Sequence, residues 1–318
     1  MKLVLGLSIL IAVSLFWAVT LWRAGQTEAR AEAAFPPEGQ FVDVAGHKVH
    51  AVVMGSGPDL VLIHGSSGNT RDMTFQLAPK LAERYRVFVF DRPGLGYSDP
   101  VSSDGSTITE QAATLVAAAR ELGAEKPLVA GHSYGGAVAL AWAVHHPDDI
   151  SGLIALSAAS HPWDTGLTTY YKILSHPVLG RIVMPLIAAY ATEEIVEREV
   201  AAVFQPDAVP EGYSAHFGPA LTLRRDQTRA NALQRRNLLE EIEALSPRYP
   251  EINVPVEILH GSADWAVGLQ IHSIPLRDAV DGANLEILDG KGHMIQHTAP
   301  EAVIDAIDRT AARAGLSP

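Results

Sequence analysis

The chain has 318 residues and a formal net charge of −12, which is enough length for one large α/β domain carrying an insertion. The acidic balance argues against nucleic acid as a partner, because phosphate binding requires a basic face. The sequence contains no cysteine, which excludes disulfides, thiol catalysis and cysteine-ligated metals.

The N-terminal segment is strongly apolar. Leu3 to Trp22 is a stretch of 20 residues without a charge, long enough to cross a hydrocarbon layer about 30 Å thick. Trp17 and Trp22 lie near its far end, where indole rings favour the membrane interface. We therefore predict a membrane anchor over residues 1–24 and a juxtamembrane helix or linker over residues 25–39.

Other interpretations of this segment stay open at this point. A cleaved signal peptide would use Ala29-Arg30-Ala31 as its small-residue site, and a buried core helix is the third alternative. If Lys2 remains inside, the rest of the chain lies on the periplasmic or extracytoplasmic side, although Arg23 on the other flank weakens that orientation. Small residues four positions apart also allow two anchors to pair as a homodimer: Ser8 with Ala12, and Ser14 with Ala18.

Strand and helix patterns alternate after the linker. Residues 40–54 alternate apolar and polar side chains as a hairpin does. The following alternation predicts βαβ units and a parallel sheet covered on both faces. The predicted elements are strand 60–64, helix 71–84, strand 86–90, helix 107–122, strand 127–131, helix 134–146 and strand 152–157, and strands resume at residues 254–260 and 285–288.

The alternation breaks over residues 161–250, which we call the cap segment. This segment has helical patterns punctuated by prolines and is rich in apolar and aromatic residues. We expect most of these side chains to pack the helices together and about a third to face a pocket, with Trp163 and Tyr170 among them. A mostly apolar cavity favours an acyl chain over a sugar or a charged metabolite.

The most informative motif is Gly131-His132-Ser133-Tyr134-Gly135. It follows an apolar strand and precedes an alanine-rich helix, which is the setting of a G-x-S-x-G nucleophile elbow. Such a turn strains the backbone and exposes the serine hydroxyl, and its glycines leave the space that the turn requires. An unassisted serine is a weak nucleophile, so the motif also predicts a base nearby.

Four further sites occur in a matching order. His64-Gly65-Ser66 follows the first parallel strand, Asp91-Arg92-Pro93-Gly94 follows the next, and Asp264 and His293 follow the last two strands. On these motifs residues 40–314 resemble the α/β-hydrolase fold superfamily, of serine esterase or lipase type. The resemblance implies a mostly parallel eight-stranded sheet with helices on both faces, a core of residues 40–160 and 251–318, and a helical cap after strand six.

The resemblance also implies roles for individual residues. Ser133 would attack the substrate, His293 would take its proton, and Asp264 would orient the imidazole. The backbone N–H groups of Ser66 and Tyr134 would form the oxyanion hole. We expect no cofactor and no metal, and we expect four side chains to contact substrate: Ser67, Trp163, Tyr170 and Trp265.

Alternatives exist for the base and the acid. His297 lies one helical turn after His293, and Asp289 directly follows the last strand. The loop after the sixth strand, residues 157–161, has no carboxylate, which favours Asp264 as the acid. His47 and His50 form a tempting pair, but without a carboxylate pattern nearby they do not predict a metal site.

The sequence predicts a carboxylic-ester hydrolase acting through an acyl-enzyme. An anchor beside an apolar cap favours lipid-derived esters such as lysophospholipids, phospholipids or acylglycerols, and small esters are equally compatible. A carbon–carbon bond hydrolase, a lyase, a haloperoxidase-like enzyme and a non-catalytic ligand sensor stay as alternatives. Serine at position 133 argues against relatives that use an aspartate nucleophile.

Overall fold

A computed structural model of the chain describes residues 2–317. Its eight strands form one sheet in the order β1-β2-β4-β3-β5-β6-β7-β8. The strands are β1 Gln40–Val44, β2 His47–Met54, β3 Asp59–Ile63, β4 Arg86–Phe90, β5 Leu128–His132, β6 Gly152–Leu156, β7 Val256–Gly261 and β8 Asn284–Leu288. Strand β2 pairs antiparallel with β1 and with β4, and the other neighbouring strands are parallel.

Helices surround the sheet and fill the segment between β6 and β7. Outside the cap segment, the helices are α1 Lys2–Ala34, α2 Thr70–Thr74, α3 Leu77–Leu81, α4 Ile108–Glu121, α5 Tyr134–His145, α11 Ser273–Ala279, α12 Ile295–Thr298 and α13 Pro300–Arg313. The cap segment contributes α6 Thr169–Ser175, α7 Leu179–Tyr190, α8 Glu193–Phe204, α9 Tyr213–Phe217 and α10 Arg225–Leu245. The predicted α/β-hydrolase fold is thereby confirmed, with its helical insertion after the sixth strand.

Alternate side chains of the central strands enter two separate cores. Val61 and Ile63 pack with α4 and α5 on one face of the sheet, while Leu60 and Leu62 pack with α3 and α13 on the other. A strand of this kind is apolar along its whole length because successive side chains point to opposite, equally covered faces. This double coverage explains the continuous apolar runs of the sequence.

One predicted helix differs from the structure. The sequence pattern predicts a single helix over residues 71–84, whereas the structure has α2 and α3 with a break between them. Pro79 lies inside the second helix, and it has no N–H to bond the carbonyl four residues earlier. That carbonyl belongs to Phe75, the C-cap residue directly after α2, so the chain restarts its helix instead of continuing it.

Helix α1 is unbroken over residues 2–34, so no change of secondary structure marks the predicted boundary at residue 24. Within the described residues, it is the one unbroken helix that is long and apolar enough to cross a membrane. Only 6% of its most apolar stretch of 18 residues is buried. The buried-core interpretation is therefore wrong. The length and composition of α1 suit a membrane anchor or a signal sequence.

The C-terminal half of α1 packs on the cap segment. Arg225 forms a bidentate ion pair with Glu28, and its two N–O distances are both 2.7 Å. Arg224 pairs with Glu32 at 3.0 Å. Ala24 is fully buried against two alanines of α7, Ala188 and Ala189. Residues 20–34 are therefore attached to the body of the protein by both packing and charge.

Helix α10 also reaches the core, where Glu241 accepts a hydrogen bond from the Ile108 backbone N–H at 2.7 Å. Burial raises the pKa of Glu241 to about 7, against the opposing effect of that hydrogen bond. The folded chain thus holds a proton that the unfolded chain releases near its ordinary pKa of 4.5. Stability should therefore fall as the pH rises from about 4.5 to about 7.

Glu241→Gln should remove this loss of folding stability at high pH. At pH 8 we expect the variant to be more stable than the wild type by roughly 1–2 kcal/mol, a value discounted for partial exposure. At pH 5 the difference should be much smaller. Denaturant titrations at both pH values measure it, with Glu243→Gln as control, because Glu243 is exposed on the same helix and is not among the charges that raise the pKa of Glu241. A difference that is the same at both pH values would contradict the burial argument.

Candidate active site

Ser133 occupies a strained turn between β5 and α5. Its backbone has φ 55° and ψ −118°, a region that side-chain-bearing residues rarely adopt. The turn is so tight that a Cβ atom on Gly131 would lie 2.2 Å from the Gly135 carbonyl oxygen. A Cβ atom on Gly135 would lie 2.4 Å from the carbonyl oxygen of Ile63 on the neighbouring strand. The Ser133 hydroxyl does not cap α5, so the helix does not use it.

His293 and Asp264 form a hydrogen-bonded pair at the carboxyl ends of the last two strands. His293 Nδ1 lies 2.7 Å from Asp264 Oδ2. The other carboxylate oxygen, Oδ1, accepts the backbone N–H groups of Ala266 and Val267 at 2.8 and 2.9 Å. The His293 ring lies 4.7 Å from the ring of His132, the residue before Ser133. Ser133 follows β5, which is parallel to these strands, so the three predicted residues lie at the same end of the sheet.

The charge of Asp264 fixes the proton on its partner. Burial alone would raise the pKa of this carboxyl, but hydrogen bonds from His260 and His293 outweigh it and hold the pKa far below its usual range. An ionised carboxylate can only accept hydrogen bonds. His293 Nδ1 is therefore the donor, which leaves Nε2 with a free lone pair on the opposite side of the ring.

The turn of residues 64–67 approaches the elbow. A Cβ atom on Gly65 would lie 3.2 Å from Ser133 Cβ. The Gly65 carbonyl oxygen accepts hydrogen bonds from Arg92 Nη2 and His64 Nδ1, both at 2.9 Å. Because C=O and N–H point in opposite directions across a trans peptide, fixing the Gly65 carbonyl also fixes the direction of the Ser66 N–H.

Arg92 is fully buried, and burial lowers its pKa to about 10. It donates to the side-chain oxygens of Gln111 and Gln234 at 2.8 Å, and its guanidinium lies 4.3 Å from the centre of the Tyr134 ring. A buried cation of this kind is held by its several acceptors. The side chain thereby joins the turn at Gly65 to the helix of residue 134.

Helix α10 of the cap segment holds the same turn through Asn231. Asn231 Oδ1 accepts the Ser67 backbone N–H and its Nδ2 donates to Ser67 Oγ, both at 2.9 Å. Neither Asn231 nor Gln234 was identified from the sequence. Both amides lie on the buried face of α10, where such groups require partners, but the sequence alone does not show that this face is buried.

The other predicted contact residues lie in varied surroundings. Trp163 is half-buried and packs edge-on against His272. Tyr170 is 51% exposed and packs against Tyr171. Trp265 is 62% exposed, and its indole N–H donates to the Ala202 carbonyl at 3.2 Å. Substrate contact by these residues and by Ser67 stays a prediction.

The alternative base and acid have other partners. Asp289 accepts a hydrogen bond from Ser262 Oγ at 3.2 Å on the exposed surface. His297 Nε2 lies 2.9 Å from Asp72 Oδ1, and both side chains are buried. Tyr213 donates to that same Asp72 oxygen at 2.7 Å. His297 therefore belongs to a separate buried pair.

His50 bonds to Asp91 at 2.7 Å and not to His47. Asp91 is fully buried and also accepts the backbone N–H groups of Thr70 and Tyr97, at 2.6 and 2.9 Å. Among residues 2–317, no group of three or more histidine and acidic side chains is arranged to hold a metal ion. Asp91 organises the backbone of its loop.

Comparisons with known proteins agree with this architecture. An uncharacterised protein of Mycobacterium tuberculosis is 29% identical over 291 residues, covering 86% of this chain and 81% of that protein. A pimeloyl-[acyl-carrier protein] methyl ester esterase of Vibrio atlanticus is 28% identical over 228 residues, covering 69% and 81%.

A solved structure of a membrane phospholipase A, described as a bacterial virulence factor, superposes with a TM-score of 0.65 and 21% identity over 99% of both chains. The model of the alpha/beta hydrolase fold family matches residues 58–300, which is more than half of the chain. The chain therefore belongs to the α/β-hydrolase fold family.

Proposed function

We propose that this chain is a serine hydrolase of carboxylic esters, with Ser133 as nucleophile, His293 as base and Asp264 as the acid that orients it. The observation that carries the proposal is the His293–Asp264 hydrogen bond beside the strained turn of Ser133. A serine displayed on such a turn next to an oriented imidazole is suited to attack a carbonyl carbon.

The reaction would proceed in two steps. His293 Nε2 takes the Ser133 proton as Oγ attacks the ester carbon, and it then returns that proton to the departing alcohol, leaving an acyl-enzyme. Water attacks the acyl-enzyme with His293 again as base, which releases the carboxylic acid and restores the serine. Asp264 stabilises the imidazolium at each stage without taking its proton.

The backbone N–H groups of Ser66 and Tyr134 would bind the developing oxyanion. Tyr134 supplies the first N–H of α5, where the helix dipole favours negative charge. The Ser66 N–H belongs to the peptide whose carbonyl is held by Arg92 and His64. The Ser66 hydroxyl is buried and has no hydrogen-bond partner among the described residues, and we assign the proposed role to the backbone N–H alone.

Lipid-derived esters are the proposed substrate class. The support is an apolar helix suited to membrane anchoring, attached directly to an apolar cap segment. The similarity in overall shape to a membrane phospholipase A is consistent with this class. We propose that the anchor is retained and that the hydrolase body lies on the extracytoplasmic side.

An ester panel tests the proposal. The full chain in detergent is assayed on esters of graded acyl length and on a lysophospholipid, beside Ser133→Ala. We expect turnover by the wild type, none by the variant, and the highest kcat/KM on long chains or the lysophospholipid. A short-chain maximum would overturn the lipid assignment. Absence of turnover on every ester by folded wild type would overturn ester hydrolysis and favour carbon–carbon bond cleavage or lyase chemistry.

Asn231 should act as a positioning residue for the proposed oxyanion turn. Asn231→Ala removes both hydrogen bonds to Ser67, so the Ser66 N–H loses part of its alignment. We expect kcat to fall by about 10–100-fold with KM nearly unchanged, less than the loss of a direct oxyanion donor. Steady-state kinetics on a short ester measures the split between the two constants.

Asn237→Ala is the matched control. Asn237 lies on the same helix and bonds the carbonyls of Asp104 and Gly105, away from the proposed site. Its removal should leave kcat within a factor of about two, because a distant surface contact adds little to transition-state binding. Equal losses in kcat for the two variants would mean that Asn231 only stabilises the helix.

A further inference from the structure

One face of α7 is apolar and open to solvent. Leu179, Ile182, Leu186 and Tyr190 are three or four residues apart, which places them on one side of the helix. Leu179, Ile182 and Tyr190 are 45%, 42% and 40% exposed, and Leu186 is half-buried. We call these four residues the α7 stripe. It contains no charged side chain, whereas a helix face in contact with water is normally polar.

The contacts of α1 fix where this stripe lies relative to the anchor. The Tyr190 ring stacks on Phe16 at 6.5 Å with an angle of 8° between the planes. The Tyr190 hydroxyl lies 3.0 Å from Thr20 Oγ1, and the Arg23 guanidinium lies 4.9 Å from the centre of the same ring. Tyr190 therefore contacts α1 within the uncharged segment and at its boundary.

The positions along α1 that Tyr190 contacts give the depth of Tyr190 in the bilayer. Phe16 lies six residues before Trp22, which is about 9 Å along the helix axis at 1.5 Å per residue. The uncharged segment of 20 residues matches a hydrocarbon layer of about 30 Å. A bilayer around this segment must therefore extend past Phe16 and reach Tyr190. Tyrosine and an adjacent arginine are side chains that suit the boundary between lipid and water.

We infer that the α7 stripe lies on the bilayer surface, with the Tyr190 ring among the outermost parts of the acyl chains, just below the headgroups. The occupant of this face is lipid, since the contacts with α1 bring the stripe to the bilayer. The cap segment thus touches the membrane directly. This inference rests on the proposed anchoring of α1 and is independent of the proposed chemistry.

The absence of cysteine makes the test direct, because one introduced cysteine is the only thiol in the chain. Three single-cysteine variants of the full chain are each labelled with an environment-sensitive fluorophore: Leu10→Cys, Leu186→Cys and Ile287→Cys. Leu10 lies in the uncharged segment of α1, and Ile287 is a 46% exposed apolar residue on β8. The proteins are reconstituted into phosphatidylcholine vesicles that contain nitroxide lipids, placed either at the headgroup or deep in the acyl chains.

We expect the label at Leu186 to be quenched by the headgroup nitroxide, the label at Leu10 by the deep nitroxide, and the label at Ile287 by neither. Quenching at Leu10 without quenching at Leu186 would overturn the inference and leave the anchor intact. No quenching at Leu10 would overturn the anchor and the inference together. A change in the fluorescence of the label at Leu186 that depends on the protein-to-lipid ratio and not on the nitroxide would mean that a second copy covers the stripe. That result would also overturn the inference. Hydrolysis of a soluble short ester by the unlabelled chain reports on the proposed chemistry separately.

Discussion

Ser133→Gly should abolish ester hydrolysis and at the same time make the folded chain more stable than Ser133→Ala. The loss of the hydroxyl removes the proposed nucleophile, which typically lowers kcat by about 10⁵–10⁶-fold. The gain in stability follows from the backbone at position 133, whose φ of 55° and ψ of −118° suit glycine and strain every other residue. Strain of this kind costs about 1–3 kcal/mol, and the greater chain entropy of glycine offsets part of its relief.

Thermal or denaturant unfolding of the two variants measures the difference, which we expect to be about 1 kcal/mol in favour of glycine. Ala45→Gly is the matched control, because Ala45 has a similar φ of 53° in the turn between β1 and β2. It should stabilise the chain without changing the hydrolysis rate. If Ser133→Gly is no more stable than Ser133→Ala, the turn is not strained. A loss of kcat smaller than about 100-fold in Ser133→Gly would mean that another group is the nucleophile.

Asp264→Asn should lower kcat by about 10³–10⁴-fold with little change in structure. The asparagine oxygen can still accept the N–H groups of Ala266 and Val267, so its NH₂ group then faces His293. His293 Nδ1 must accept that hydrogen bond, which moves the ring proton to Nε2 and removes the lone pair needed to activate Ser133. Single-turnover kinetics with an ester that releases a chromophore would locate the loss in the acylation step.

Asp289→Asn distinguishes Asp264 from the other carboxylate of this region. Asp289 is exposed, and within residues 2–317 its side chain bonds Ser262 alone, so its replacement should leave kcat within a factor of about two, as surface substitutions usually do. A loss in Asp289→Asn comparable to that in Asp264→Asn would assign the acid to position 289. Full activity of Asp264→Asn would remove the proposed role of this pair.

The parallel sheet was predictable because its strands are apolar on both faces. The runs at residues 60–63 and 86–90 are long, continuous and bounded by turn residues, and the structure places them in β3 and β4 within one or two residues. The G-x-S-x-G motif likewise predicted a strand-to-helix turn, and Ser133 lies in that turn. The chemical roles of Ser133, His293 and Asp264 stay predictions that the experiments above address.

The cap segment was predictable only in outline. Its helical character follows from the absence of strand patterns, but the partners of its side chains are distant in sequence. Asn231 is 164 residues from Ser67, and Glu28 is 197 residues from Arg225. Contacts over such separations depend on how the insertion packs on the core. No local pattern in the sequence specifies that packing.

The attachment of α1 has a consequence for shortened versions of the chain. Removal of the first 34 residues to obtain a soluble form would leave Arg224 and Arg225 without their carboxylate partners and expose Ala188 and Ala189. Both arginines sit at the start of α10, and Asn231 on that helix holds the turn next to Ser133. Catalytic constants measured on such a soluble form would describe an altered enzyme, since the N-terminal helix is part of the scaffold on which the site is assembled.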